Sequence, residues 1–426
     1  MCQSGPIGRN IIIGLDGVPF RLIEHLTAAG TMPNLRDTIN EGVFLQMASS
    51  VPAISSVAWS SIITGANPGQ HGVYGFTDLA PGAYRLRFLS FNDLKVAPFW
   101  LDSRNGRSII INVPSTYPAK KLNGALIAGF VAPDLTRATF PPSLIPTLEA
   151  LNYQIDVDTE KAHQSKELFL RHLDETLKTR IDVYRYLWEA ESWQNFMLVF
   201  TGTDRLGHFM WDAYEDPQHP FREAFLQHFR RIDQAIGEIL ERLTPDDSLV
   251  VLSDHGFEQL EKTANVSAFL RDQGFLTFKH DPARSLNDIE EGASAFALDP
   301  ARIYVHTRDR YPRGTVKEHD ISAVVGELVE ALSSWEIDNR RVIGQIHHRD
   351  DVYHGPHVDS APDLVLTPQT GFDLQAGVRS HGVTQKRPHT GKHTGHDAFL
   401  IARGPGLTRV PESLSVSDVL QTFTTL

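Results

Sequence analysis

Apolar residues along the chain fall into two patterns. Short runs without polar alternation recur at 11–15 (IIIGL), 108–113, 125–129, 196–200, 248–253 and 398–402. Runs of this length predict strands buried on both faces, as in a parallel sheet covered by helices. Residues 43–48 form a further candidate strand. The second pattern is helical. Between 221 and 243, apolar residues stand at 221, 224, 225, 229, 232, 235, 236, 239, 240 and 243, which is one face of a long helix. Helices are also predicted at 99–106, at 165–190 and at 33–42, where Pro33 opens the segment and Gly42 follows it.

This succession of strands and helices predicts an α/β fold with a mainly parallel central sheet flanked by helices. Residues 262–387 alternate less regularly, with candidate strands near 302–306 and 363–366 and a helix near 321–334. They are read as an inserted cap, leaving 1–261 and 388–426 as the α/β core.

Residues able to bind metal follow several of the apolar runs. Asp16-Gly17 ends the first. Asp204 and His208 come after 196–200, four residues apart, so on a helical turn they share one face. Asp254-His255-Gly256 ends 248–253, and His393 stands just before 398–402, with His389 and His396 as rivals by residue type. An acidic residue after a strand can be a plain turn, and an Asp–His pair can be plain surface. Three such acidic positions, each after an apolar run, exceed what turn chemistry supplies, and the carboxyl edge of a parallel sheet is where α/β proteins place ligands. Carboxylates and imidazoles without thiolates suit Zn²⁺ or Mn²⁺.

The stretch 51–76, VPAISSVAWSSIITGANPGQHGVYGF, predicts a short helix. Pro52 breaks any earlier element, Val57, Ala58, Ile62 and Ile63 offer a buried face, and Gly65 ends the helix. Ser55 and Ser56 both fit the N-cap. A hydroxyl there meets unpaired N–H groups and the positive end of the helix dipole, which favour an alkoxide and bind phosphate. The competing reading is a simple serine cap.

Composition narrows the function classes. The 426 residues, 41% of them hydrophobic, support a large core. A net charge of −12 opposes nonspecific nucleic-acid binding, while bound metals would still let an acidic protein take a small phosphorylated substrate. The single cysteine, Cys2, excludes an internal disulfide framework and a cysteine-rich zinc site. No apolar run is long enough to span a membrane and the N-terminus lacks a signal-peptide core, so the expected compartment is the cytoplasm. With nineteen histidines, spacing rather than presence selects candidates. His347, His348, His354 and His357 have no periodic partner and are read as surface residues.

Taken in order, these segments resemble the alkaline phosphatase superfamily, in its type I phosphodiesterase/nucleotide pyrophosphatase branch and especially bacterial members. IIIGLDG resembles the first-ligand strand and VPAISSVAWSSIITGANPGQHGVYGF the nucleophile helix with its HG turn. FTGTDRLGHFMW is similar to the Asp-x-x-x-His segment, VLSDHGF to the second-metal segment and GKHTGHDAFLIARGPG to the last histidine segment. INVPSTYP, ARIYVH, VYHGP and APDLVL match more weakly.

The resemblance implies an alkaline-phosphatase-like core with two divalent metal ions, Zn²⁺ first and Mn²⁺ second. One ion would take Asp204, His208 and His393, the other Asp16, Asp254, His255 and the Ser55 hydroxyl. Counting back from Thr64-Gly65 aligns Ser55, not Ser56, with the family's nucleophile, which would attack phosphorus and form a phosphoserine. The implied activity is a metal-dependent phosphodiesterase or phosphohydrolase acting on a small-molecule phosphate ester. A phosphotransferase or mutase, a phosphonate or sulfate ester hydrolase, and a catalytically silent binding protein are the competing readings. There are departures. Ala58 stands where family nucleotide pyrophosphatases carry an Asn, which leaves Trp59 as a bulky candidate substrate contact. The nucleophile segment has no cysteine for the formylglycine of sulfatases. The chain stops at VSDVLQTFTTL, earlier than family members usually do. Substrate choice is expected to lie with loops 76–98 and 114–161 and with the cap.

Overall fold

The computed structural model describes residues 8–190, 192–379, 382–385, 388–405 and 414–423; Cys2 lies outside them. The chain packs as two units. The first comprises Met1–Ala66, Ser90–Gln259 and His389–Leu426, the second Asn67–Leu89 and Leu260–Pro388. The second unit therefore includes residues 67–89, which the sequence reading left with the core. The reason is Tyr84, whose ring joins the apolar cluster of Phe296, Tyr304 and Tyr311 and whose hydroxyl meets His306 Nε2.

The first unit is built on an eight-stranded sheet in the order Val43–Met47, Ala398–Arg403, Ser248–Leu252, Asn10–Leu15, Asn195–Phe200, Ser108–Val113, Gly124–Ala128, Thr139–Phe140. The five strands from Ser248–Leu252 to Gly124–Ala128 run parallel. Ala398–Arg403 runs antiparallel to both its neighbours. The unbroken apolar runs reflect burial on both sheet faces. Ile11, Ile13 and Leu15 pack with residues of helices Phe20–Ala28, Lys166–Ala190 and Arg222–Glu241. Ile12 joins Met197, Val250, Trp59 and Ile62 in a separate cluster, as period-two alternation requires. Helix Arg222–Glu241 buries Phe225, Phe229, Ile232, Ala235, Ile236 and Ile239, the face its periodicity marks.

Residues 99–106 differ from expectation. They form two 3₁₀ turns, Phe99–Leu101 and Ser103–Asn105, because the Asp102 carboxylate accepts from the Arg104 N–H and starts a second turn where a helix would have continued.

The second unit holds a four-stranded antiparallel sheet in the order Ala295–Leu298, Arg302–Val305, Leu364–Pro368, Ile343–His348. Helices Val266–Asp272 and Ile321–Ser333 share its apolar cluster. No helix among the described residues is long and apolar enough to cross a membrane.

Candidate active site

Three parallel strands deliver acidic residues to one edge of the first unit's sheet. Asp16 follows Asn10–Leu15, Asp204 sits in the first turn of helix Gly202–Glu215 after Asn195–Phe200, and Asp254-His255 follows Ser248–Leu252. His208 lies one turn beyond Asp204 on the same helix. His393 arrives from the opposite chain direction, on strand Gly391–Thr394, which pairs antiparallel with Gly256–Gln259 so that His393 faces Phe257. Ala398–Arg403 runs against the parallel strands, so residues preceding it emerge at the edge where residues following the others do.

Ser55 is the first residue of helix Ser55–Thr64, and the N-cap is Ile54. This corrects the expected serine cap. The Val57 and Ala58 amides bond back to the Ile54 carbonyl, so the helix does not use the Ser55 hydroxyl. That hydroxyl donates to Asp16 Oδ1 at 3.1 Å and lies 3.3 Å from His255 Nε2. Ser56 Oγ is buried without a hydrogen-bond partner among the described residues. Gly65 closes the helix in the left-handed region, at φ 61°.

Metal-binding atom types converge around Ser55. His255 Nε2 lies 3.5 Å from Asp254 Oδ2 and 3.7 Å from Asp16 Oδ1. Asp204 Oδ1 lies 3.1 Å from His393 Nε2 and 3.5 Å from His208 Nε2. Candidate ligand atoms of Asp16, Asp254 and His255 fall within 4.8 Å of one another, as do those of Asp204, His255 and His393. The outward nitrogens of two imidazoles face carbonyls, His255 Nδ1 that of Gly256 and His393 Nδ1 that of Ala53, each at 3.1 Å. A carbonyl only accepts, which assigns the proton to Nδ1 and turns each Nε2 lone pair inward. His389 packs its ring against those of His208 and Phe209, 4.9 Å between centroids in each case, and His396 is exposed.

The electrostatics are those of crowded, buried negative charge. Burial, with Asp254 and Asp204 adding to it, pushes the Asp16 carboxyl well above its ordinary range. Burial pushes Asp254 up to about 7 and His208 down to about 3, and holds His255 well below the usual imidazole value. Burial would also raise Asp204, but His208, His393 and Arg205 outweigh it and keep that carboxyl low. Asp254 Oδ2 is buried with no hydrogen-bond partner among the described residues. An orphaned carboxylate oxygen amid oxygen and nitrogen donors fits divalent cations.

The sequence suggests Trp59 as a substrate contact. Trp59 is fully buried in the sheet-facing core, and its indole N–H donates to Asp16 Oδ2 at 3.2 Å. Other supporting groups carry little sequence signal. The Gly17 N–H, in a left-handed turn at φ 67°, donates to Asp254 Oδ1 at 3.0 Å. Arg205 Nη1 donates to Asp204 Oδ2 at 2.9 Å while Nη2 pairs with Asp156 at 2.7 Å. Arg205 is suggested by its place beside Asp204; nothing in the sequence connects Asp156 to it.

The sequence profile of the family described as type I phosphodiesterase / nucleotide pyrophosphatase matches residues 10–396. The chain belongs to this family. Membership places it in the alkaline phosphatase superfamily, among hydrolases of phosphoric ester bonds. No curated protein matches the chain in sequence. Among solved structures, it is similar to phosphonoacetate hydrolase from Sinorhizobium meliloti 1021 in complex with phosphonoacetate, at 16% identity and a TM-score of 0.66, covering 97% of this chain and 94% of that one. It is also similar to murine ectonucleotide pyrophosphatase / phosphodiesterase 5, at 15% identity and a TM-score of 0.56, covering 98% and 96%. At these identities the likeness is one of fold, a large, mainly parallel sheet flanked by helices.

Proposed function

We propose that the protein is a metal-dependent phosphodiesterase or phosphohydrolase that cleaves a small phosphate ester through a phosphoserine on Ser55. The observation carrying this reading is the Ser55 hydroxyl, held 3.1 Å from Asp16 and 3.3 Å from His255. It stands at a helix start where the Ser55 and Ser56 amides make no backbone hydrogen bond among the described residues. Asp16, Asp254, His255 and the Ser55 hydroxyl would hold one divalent ion and Asp204, His208 and His393 the other, with zinc the first choice and manganese the second. When bound, the ions would lower the proton affinity of the serine hydroxyl and offset charge on the phosphoryl group.

Ser55 is the nucleophile of this reading. Its oxygen attacks phosphorus, the bond to the leaving oxygen breaks, and water then clears the phosphoserine. The free amides at the helix start favour the phosphoryl oxygens. His255 and His393 keep Nε2 directed inward through their Nδ1–carbonyl contacts. Ala58, where nucleotide pyrophosphatases of the family carry Asn, argues against a nucleotide as the preferred substrate.

The test is a screen of bis- and mono-nitrophenyl phosphates, phosphonates and sulfates with Zn²⁺, Mn²⁺ and Mg²⁺, with products analysed with and without an added alcohol acceptor. Chelator-sensitive hydrolysis of a phosphate ester supports the reading. Turnover of phosphonates or sulfates alone, transfer to the alcohol in place of hydrolysis, or turnover indifferent to chelation would sink it.

A further inference from the structure

Trp59 lies four residues after Ser55 on helix Ser55–Thr64, about one turn further along, so both side chains leave the same helix face. Ser55 Oγ donates to Asp16 Oδ1 at 3.1 Å and Trp59 Nε1 to Asp16 Oδ2 at 3.2 Å. One helix therefore grips both oxygens of one carboxylate. The indole is fully buried, and Gly14 makes the space for it. A Cβ at Gly14 would come 2.3 Å from Trp59 Cη2 and 3.0 Å from Val199 Cγ2. Gly14 and Asp16 are two residues apart and share a side of the chain; the first admits the ring and the second receives its N–H.

The same division recurs at the other two acidic residues. Asp254 has Oδ1 on the Gly17 amide and Oδ2 3.5 Å from His255 Nε2. Asp204 has Oδ2 on Arg205 and Oδ1 3.1 Å from His393 Nε2. Each carboxylate has one oxygen tethered to an N–H and the other turned into the cluster.

We propose that Trp59 is a positioning residue for Asp16. It fixes the plane of that carboxylate and presents Oδ1 to Ser55 and to the ion that Asp16, Asp254 and His255 would hold. A carboxylate tethered at one oxygen by a ring that cannot itself turn loses its rotation about Cβ–Cγ. The inference rests on the proposed metal-dependent function and adds a residue that touches neither metal nor substrate.

The test compares wild-type protein with Trp59→Phe and with 3-benzothienylalanine incorporated at position 59, which keeps the ring size and replaces the N–H with sulfur. Circular dichroism and thermal unfolding establish folding. Titration of Zn²⁺ against a chromophoric chelator then reads the two binding steps. Both variants are expected to weaken one step by about 10- to 100-fold and leave the other nearly unchanged, with kcat falling and KM for a nitrophenyl phosphate held. Trp59→Phe also opens a void, so the sulfur isostere decides if the phenylalanine variant unfolds. The proposal is overturned if the isostere binds both ions and turns over as wild type does, since ring volume is then what matters, or if both steps weaken equally. A wild-type protein that binds no metal overturns the functional reading itself, and this inference with it.

Discussion

His208 and His393 are 185 residues apart in sequence, yet their Nε2 atoms stand 2.9 Å apart. Two imidazole nitrogens at that distance need a proton or a shared cation between them. The Ala53 carbonyl occupies His393 Nδ1, so the lone pair of His393 is the one directed at His208. Burial opposes charge on His393, but the nearby carboxylates of Asp204 and Asp254 and the Ala53 carbonyl together outweigh it and raise its proton affinity. Asp204, His208 and His393 thus make a compact set of three donors.

Removing His393 should therefore break that set. His393→Ala is expected to lose one bound metal and most activity, with partial recovery at high metal concentration, while His389→Ala and His396→Ala keep both ions. Elemental analysis of the three purified variants checks this, and the reverse pattern would refute the ligand assignment.

Ser55→Ala should reduce turnover by on the order of a thousandfold or more while the fold and at least one metal remain. Ser56→Ala should turn over at close to the wild-type rate, because Ser56 Oγ makes no hydrogen bond among the described residues. Burst kinetics with a nitrophenyl ester, plus mass spectrometry of the trapped phosphoenzyme, would locate the modified serine.

Asp247 gives a pH-dependent stability. Burial alone would raise its carboxyl, but the Arg9 side chain at 2.7 Å and the Thr244 and Arg9 amides outweigh it and hold the group at about 2. The folded value lies below the unfolded value of about 3.9, so the contribution is fully present above about pH 4 and disappears as pH falls through 2. Asp247→Asn should lower the unfolding midpoint at pH 7, and the gap to wild type should narrow steadily from pH 4 to pH 2. A gap that stays constant across that range would remove Asp247 as the source.

Lys392 and Glu258 form a buried ion pair, at 2.7 Å, across the ribbon that carries His393. Lys392→Met should lower stability, since it removes a cation held 2.7 Å from a largely buried carboxylate. Adding Glu258→Gln should recover much of that loss, and a double-mutant cycle in urea measures the recovery. Additive losses would show that the two side chains act independently.

The central strands were legible because burial on both faces forces an unbroken apolar run. Asp204 and His208 were legible as a pair because four residues place them on one helix face. What escaped has physical causes too. An apolar run does not state its direction, so the antiparallel course of Ala398–Arg403, which brings His393 to the shared edge, could not be read from composition. A tryptophan on a buried helix looks the same whether its N–H faces substrate or a carboxylate, so the bond from Trp59 to Asp16 could not be read from the sequence. Tyr84 sits in a hairpin too short to show periodicity, and the packing that assigns residues 67–89 to the second unit involves residues more than two hundred positions away.

Among the described residues, Val43–Met47 is bonded to the sheet only through Ala398–Arg403. An edge strand therefore waits for a partner made hundreds of residues later. At synthesis rates of about 5–20 residues per second the delay is roughly tens of seconds, and pairing over such a separation is intrinsically slow. His393 leaves the ribosome only shortly before Ala398–Arg403. Translation order thus sets a clock on the proposed site: a nascent chain has Asp16 and Ser55 long before it can close the set containing His393.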